Sequence, residues 1–186
     1  MQASHVERYV EALRALSPMP SDEALETDPE RIDHYAGVLQ AIEDERAGTQ
    51  GPLDCRIVAA LIASFGPGDG FETYWSTVHL IESAQCAETE RLTRLGLATG
   101  SVGTRKWCCL LVGRKRDPAD LQLLLARLAD PETLVVAEAL WTIRMIACEH
   151  PIPDATAQVS ALTTHPDPQI TRAAHETLLL IRQSAS

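Results

Sequence analysis

Cys108 and Cys109 stand side by side in TRKWCCLLVGRKRDP, a run that also holds Trp107 and the basic residues Arg105, Lys106, Arg114, Lys115 and Arg116. Three chemistries use such residue types: metal ligation, thiol redox exchange and a grip on nucleic acid. Adjacent residues on a helix point about 100° apart, so the two thiols are poorly placed to chelate one ion, and small side chains packed against a neighbouring helix are the better reading. The five cysteines, Cys55, Cys86, Cys108, Cys109 and Cys148, show no CxxC spacing, and each falls in an apolar helical pattern. They are expected to be reduced, buried thiols, as in a cytoplasmic protein.

The other candidate chemistries are weaker. His5, His34, His79, His150, His165 and His175 are scattered, with no HExxH or HxH among them, and Asp33 beside His34 diverges from it on a helix as the cysteines do. No P-loop, GxGxxG or GxSxG occurs, and GPGDG lacks the Lys and Ser/Thr of a phosphate cradle. Carboxylates abound, but nothing separates an acid from a base among them. No catalytic residue, cofactor or metal ligand is therefore assigned.

Charge is more informative. The net charge is −10, and residues 1–99 hold 17 acidic against 7 basic side chains while residues 100–186 hold 9 of each. The whole excess is N-terminal. Such a field repels phosphate backbones and membrane surfaces and favours a basic partner, so nucleic acid and membrane are disfavoured despite the basic cluster. No run approaches the roughly 20 apolar residues of a membrane helix, and MQASHVERYVEALRAL lacks the pattern of a secretory signal.

These side chains must be positioned by helices. Aromatic residues make up only 4%, and Leu and Ala abound, which disfavours strands; no clean apolar/polar alternation bounded by turns is found. SHVERYVEALRALS carries capping-box spacing at Ser4 and Glu7 and an apolar stripe of Val6, Tyr9, Val10, Leu13 and Leu16, ended by Pro18 and Pro20. After a short acidic turn, DPERIDHYAGVLQAIEDERAG gives a second helix, with Asp28 before Pro29 and an exit at Gly48. LDCRIVAALIASFG is apolar on nearly all sides and predicts a buried helix. FETYWSTVHLIESAQ and CAETERLTRLGLATG complete the N-terminal set.

From residue 101 the chain repeats itself. With Thr104, Val135 and Ile170 in register, spaced by 31 and then 35 residues, the positions four further on are Cys108, Ala139 and Ala174. Seven further on stand Leu111, Thr142 and Thr177, and eight further on Val112, Ile143 and Leu178. Asp117-Pro118, Asp130-Pro131 and Asp167-Pro168 precede new helices, since Asp caps free N–H groups and Pro fits the first turn.

On these residues the segment resembles the short HEAT-like repeats of the phycobilisome-lyase type. Arg105, the small pair Cys108 and Cys109, Val112-Gly113 and Asp117-Pro118 occupy that pattern's places; Val136 and Thr171 depart from its Arg in the later units. The resemblance implies an all-α fold, a right-handed α-solenoid of stacked antiparallel helix pairs, in which Arg105 reaches an Asp of a neighbouring turn. The expected organisation is one continuous domain, residues 1–100 supplying an acidic helical region of capping and degenerate repeats and residues 101–186 the HEAT-like repeats.

A small acidic solenoid without catalytic motifs reads as a protein-binding module. The candidate surface is Glu23, Glu26, Asp28, Glu30, Asp33, Glu43, Asp44 and Glu45, with Tyr74 and Trp75 as aromatic anchors, although Trp75 lies on an apolar stripe that points it inward. The combination is also similar to HEAT-like immunity proteins of bacterial polymorphic-toxin and contact-dependent inhibition systems. That similarity implies a cytoplasmic inhibitor in one-to-one complex with a basic toxin domain. The alternatives are a general scaffold or adaptor, or a lyase-like or nucleic-acid-acting solenoid enzyme.

Overall fold

The computed structural model describes residues 3–49 and 51–184. Among them it holds eleven α-helices, three short 3-10 turns and no strand. The chain forms two compact units divided between Thr104 and Arg105.

The first unit contains α1 (Ala3–Leu16), α2 (Asp22–Glu26), α3 (Pro29–Thr49), α4 (Cys55–Ser64), α5 (Thr73–Ser83) and α6 (Thr89–Thr99), and α7 (Val102–Gly113) begins in it. The α1 stripe of Val6, Tyr9, Val10, Leu13 and Leu16 is its buried face. It packs against α3 and α4, and α4 in turn packs against α5 and α6. Ile57, Val58, Ala60, Leu61, Ile62 and Ser64 of α4 are all buried, as an apolar sequence without a polar face requires. Each large side chain so enclosed contributes on the order of 1.5–3 kcal/mol.

Two local expectations change. α1 already includes Ala3, so Ser4 lies inside the helix rather than at its cap. The acidic turn is a short helix, α2, because the Ser21 hydroxyl accepts from the Ala24 amide and satisfies an otherwise orphaned donor.

A hydroxyl and ring cluster joins α3, α4 and α5. The Tyr35 hydroxyl bonds Ser64 Oγ at 2.7 Å and Thr77 Oγ1 at 2.8 Å. Burial pushes Tyr35 up to about 12, against the lowering effect of those two partners. Tyr74 stands edge-on to Tyr35 and Phe65, with ring centroids 6.0 and 5.7 Å apart. Gly66 and Gly103 let two backbones touch: a Cβ on Gly103 would lie 2.2 Å from the Gly66 carbonyl carbon.

Cys55 and Cys86 are joined in a disulfide, with Cα atoms 5.6 Å apart. This corrects the expectation of five reduced, buried thiols. The Leu53 amide donates to the Ala84 carbonyl at 2.8 Å, bringing the start of α4 against the segment after α5, so two cysteines far apart in sequence meet. Cys148 is also corrected, since it is exposed at the C-terminal cap of the helix Thr133–Ala147.

The second unit holds the rest of α7, then α8 (Leu121–Arg127), α9 (Thr133–Ala147), α10 (Thr156–Ala161) and α11 (Pro168–Ser184). α9 packs against α8 and α11, and α10 against α11. Thr142 Oγ1 donates to the Cys109 carbonyl at 3.2 Å, which ties α9 to α7. The register read from the sequence marks the buried positions: Cys108, Ala139 and Ala174 are each 0% exposed. Asp117, Asp130 and Asp167 each accept from the amide two residues on, at 2.9, 3.1 and 2.8 Å. The three Asp-Pro turns are thus built alike.

Burial pushes the Cys108 thiol up to about 12, and burial raises Cys109 as well, reinforced by Glu138. Both thiols stay protonated and unreactive at neutral pH. Cys108→Leu is expected to destabilise by about 1–3 kcal/mol through overpacking, measured by urea unfolding; an unchanged midpoint would show that the position has room to spare.

Candidate protein-binding surface

The acidic residues singled out from the sequence fall into two groups on the first unit. Glu23 and Glu26 are on α2, Asp28 joins α2 to α3, and Glu30 and Asp33 open α3; all five are exposed. Glu43, Asp44 and Glu45 lie ten residues and more further along α3, about 15 Å along its axis at 1.5 Å per residue. The structure does not bring the two groups together.

They also differ in what they do. Glu45 is engaged: its carboxylate lies 3.0 Å from His5 Nδ1 and accepts from the Tyr9 hydroxyl at 3.0 Å. Burial raises its carboxyl, but the bonds from His5 and Tyr9 outweigh that, and the net effect is a lowered value. Glu45 therefore fastens α1 to α3. Asp44 accepts from Gln40 Nε2 at 2.8 Å. By contrast, no ion pair to Glu23, Glu26, Asp28, Glu30 or Asp33 is found among the described residues.

Several arginines of the first unit are engaged elsewhere. Arg56 pairs with Asp54 at 3.0 Å, Arg94 with Glu90 at 2.6 Å, and Arg91 with Glu88. Arg31, which sits among the acids in sequence, turns inward and donates to the Leu16 carbonyl at 3.0 Å. The result is a concentrated negative surface on α2 and the first turns of α3.

α2 is held in place by its own acid. Asp22 accepts from the backbone amides of Asp69 and Gly70 at 3.0 and 2.9 Å, locking α2 onto the GPGDG loop. That loop leads to three consecutive residues of positive φ, Gly70 (59°), Phe71 (50°) and Glu72 (70°). They turn the chain so that Phe71 stands 50% exposed before α5 begins.

Of the two aromatic candidates, Tyr74 is 0% exposed and belongs to the core cluster, so its ring is not presented to a partner. Trp75 is 40% exposed, which corrects the inward-pointing expectation. Tyr74, Thr77, Val78 and Ile81 form the buried face of α5, and Trp75 lies about 100° round the helix from Tyr74. Phe71, which the sequence pattern places on the apolar face of this helix with Tyr74 and Val78, instead precedes it and is exposed; the glycine break before it is the signal.

The remaining features hold little chemistry. An apolar groove of about 390 Å³ is lined by Ala59, Ile62, Leu92 and Leu95 with Ser101 and Thr104 at one end, and no side chain lining it is ionisable. Among the described residues no group of three or more His, Cys, Asp and Glu is placed to hold a metal ion, and no helix is long and apolar enough to cross a membrane.

Three members of the basic cluster, Arg105, Lys106 and Arg116, have different partners in the second unit. Arg105 makes a bidentate pair with Asp130, Nε to Oδ2 at 2.8 Å and Nη2 to Oδ1 at 2.9 Å, with Arg127 at 3.6 Å from the same carboxylate. Arg116 pairs with Glu149, and the Lys106 ammonium lies 5.2 Å from the Trp107 ring centroid. The arginine and its aspartate are structural parts rather than a phosphate grip.

Burial raises the Asp130 carboxyl, but the bonds from Arg105 and the Glu132 amide outweigh it, and the net value is lowered. A lowered folded value contributes stability that is complete above the ordinary aspartate range near ~4 and is lost as pH falls through the folded value. Asp130→Asn is expected to destabilise by about 1–3 kcal/mol and to flatten the acid limb of stability below the ordinary aspartate range. Parallel acid limbs for the two proteins in urea unfolding would contradict this.

No family model matches the chain, and no curated protein matches it.

Proposed function

We propose that the chain is a protein-binding helical-repeat module of HEAT-like solenoid type, which engages one basic partner protein through the acidic surface of its first unit. The most specific form of this reading is an immunity-type inhibitor that neutralises a toxin domain in a one-to-one complex. The observation that carries it is the exposed group from Glu23 to Asp33, on two helices fixed by Asp22 and by the α3 core, with its intervening arginine turned inward. Preorganised like charges left without counter-charges accelerate encounter with an opposite surface, and a rigid scaffold loses little ordering entropy on binding.

The solenoid part of the proposal is supported by the repeated buried register and by the three like-built Asp-Pro turns of the second unit. The inhibitor form implies the cytoplasm, where the Cys55–Cys86 bond would have to persist against reducing thiols. Native mass spectrometry of material captured on the tagged protein tests the function. A complex of one chain with one basic protein is expected. Several substoichiometric partners would replace the inhibitor with an adaptor, and retained nucleic acid or a small ligand without protein would overturn the proposal.

A further inference from the structure

We infer that Phe71 and Trp75 form the apolar anchor of the acidic surface, taking an amphipathic basic segment of a partner protein. Aliphatic side chains of that segment cover the two rings while its Lys or Arg side chains face Glu23, Glu26 and Glu30. The inference rests on the proposed function and names the part of the surface that does the binding.

Four observations place anchor and charge together. Asp22 grips the Asp69 and Gly70 amides, so α2, with Glu23 and Glu26, is fastened beside the segment that presents Phe71. Tyr35 of α3 stands edge-on to Tyr74 with ring centroids 6.0 Å apart, which packs the first half of α3 against the start of α5. Phe71 and Trp75 are 50% and 40% exposed, four residues apart, and Asp69 and Glu72 add carboxylates beside them. The positive φ values from Gly70 to Glu72 turn the chain just before α5 and leave Phe71 outside the packed face of that helix.

Exposed rings inside a rim of like charge fit a partner that offers both apolar and cationic groups, and aromatic side chains are the usual binding anchors. The rings also attract cations over their faces. A second apolar stripe, Leu134, Ala137 and Trp141 on α9, has a tryptophan equally exposed at 40%. It lies in the unit whose acidic and basic side chains balance, with Arg144 bonded to Glu176 at 2.8 Å, so it lacks the complementary charge. Trp141 is an internal control.

The test uses two helical synthetic peptides of equal charge, one of Lys and Leu with Leu at i, i+3, i+4 and i+7, the other with Gln in place of Leu. The readout is the indole Nε1–H resonances of the full chain. The Lys/Leu peptide is expected to shift Trp75 and not Trp141, and to bind about tenfold more tightly than the Lys/Gln peptide. In Phe71→Asn/Trp75→Ala, where Asn tolerates the left-handed backbone, that preference disappears while Lys/Gln binding persists and unfolding stays cooperative. Equal affinity for the two peptides, or equal shifts at Trp75 and Trp141, overturns the anchor and leaves the acidic-surface reading standing. Binding of neither peptide overturns both.

Discussion

Replacing Glu23, Glu26 and Glu30 together by Lys is expected to slow association with the basic partner by roughly 10–100-fold at low ionic strength, with a weaker salt dependence than the wild type. The three side chains are exposed and make no ion pair among the described residues, so their contribution is to the long-range field rather than to the fold. Reversal changes the surface by six charge units. The structural cost is small: Glu23 and Glu30 sit in the first turns of α2 and α3, where losing an acid near the helix N-terminus costs about 0.3–1 kcal/mol each. The same reversal at Glu43, Asp44 and Glu45 is a poorer experiment, because Glu45 holds His5 and Tyr9 and its loss would loosen α1. Stopped-flow association rates across ionic strength distinguish the cases, and wild-type rates in the Glu23/Glu26/Glu30 variant would remove this surface from the encounter.

The second large effect is on stability. Cys55→Ser/Cys86→Ser is expected to lower the unfolding free energy by about 3–4 kcal/mol, since the bond closes a loop with 31 residues of separation and restricts the unfolded chain. Urea unfolding with and without a reducing agent measures it, and the double variant should no longer respond to the reductant. Alkylation of the unfolded chain should find three free thiols, Cys108, Cys109 and Cys148, in protein taken directly from its native cells. Five alkylated thiols and an unchanged urea midpoint would contradict the pairing.

Helix positions and buried faces were legible in the sequence because they follow from periodicity and capping, which are local. The α1 stripe, the buried α4 and the register of Cys108, Ala139 and Ala174 come from spacing alone. What was not legible depends on tertiary meetings. Nothing in the sequence distances of Cys55 and Cys86 announces that the Leu53 and Ala84 backbones bond. Trp75 looks like a core residue because it neighbours the stripe, and only the choice of Tyr74, Thr77, Val78 and Ile81 as the inward face turns it out. The acidic surface was legible as charge, but not as two separate groups, one recruited to hold α1 and the other left to solvent.

The most direct test of the central claim is hydrogen exchange of the complex with its basic partner, read by mass spectrometry against the free chain. Protection is predicted over α2, the first turns of α3 and residues 69–76, with α9 and α11 unchanged. Protection confined to α9, with no change at α2, would contradict the account and move the binding surface to the second unit.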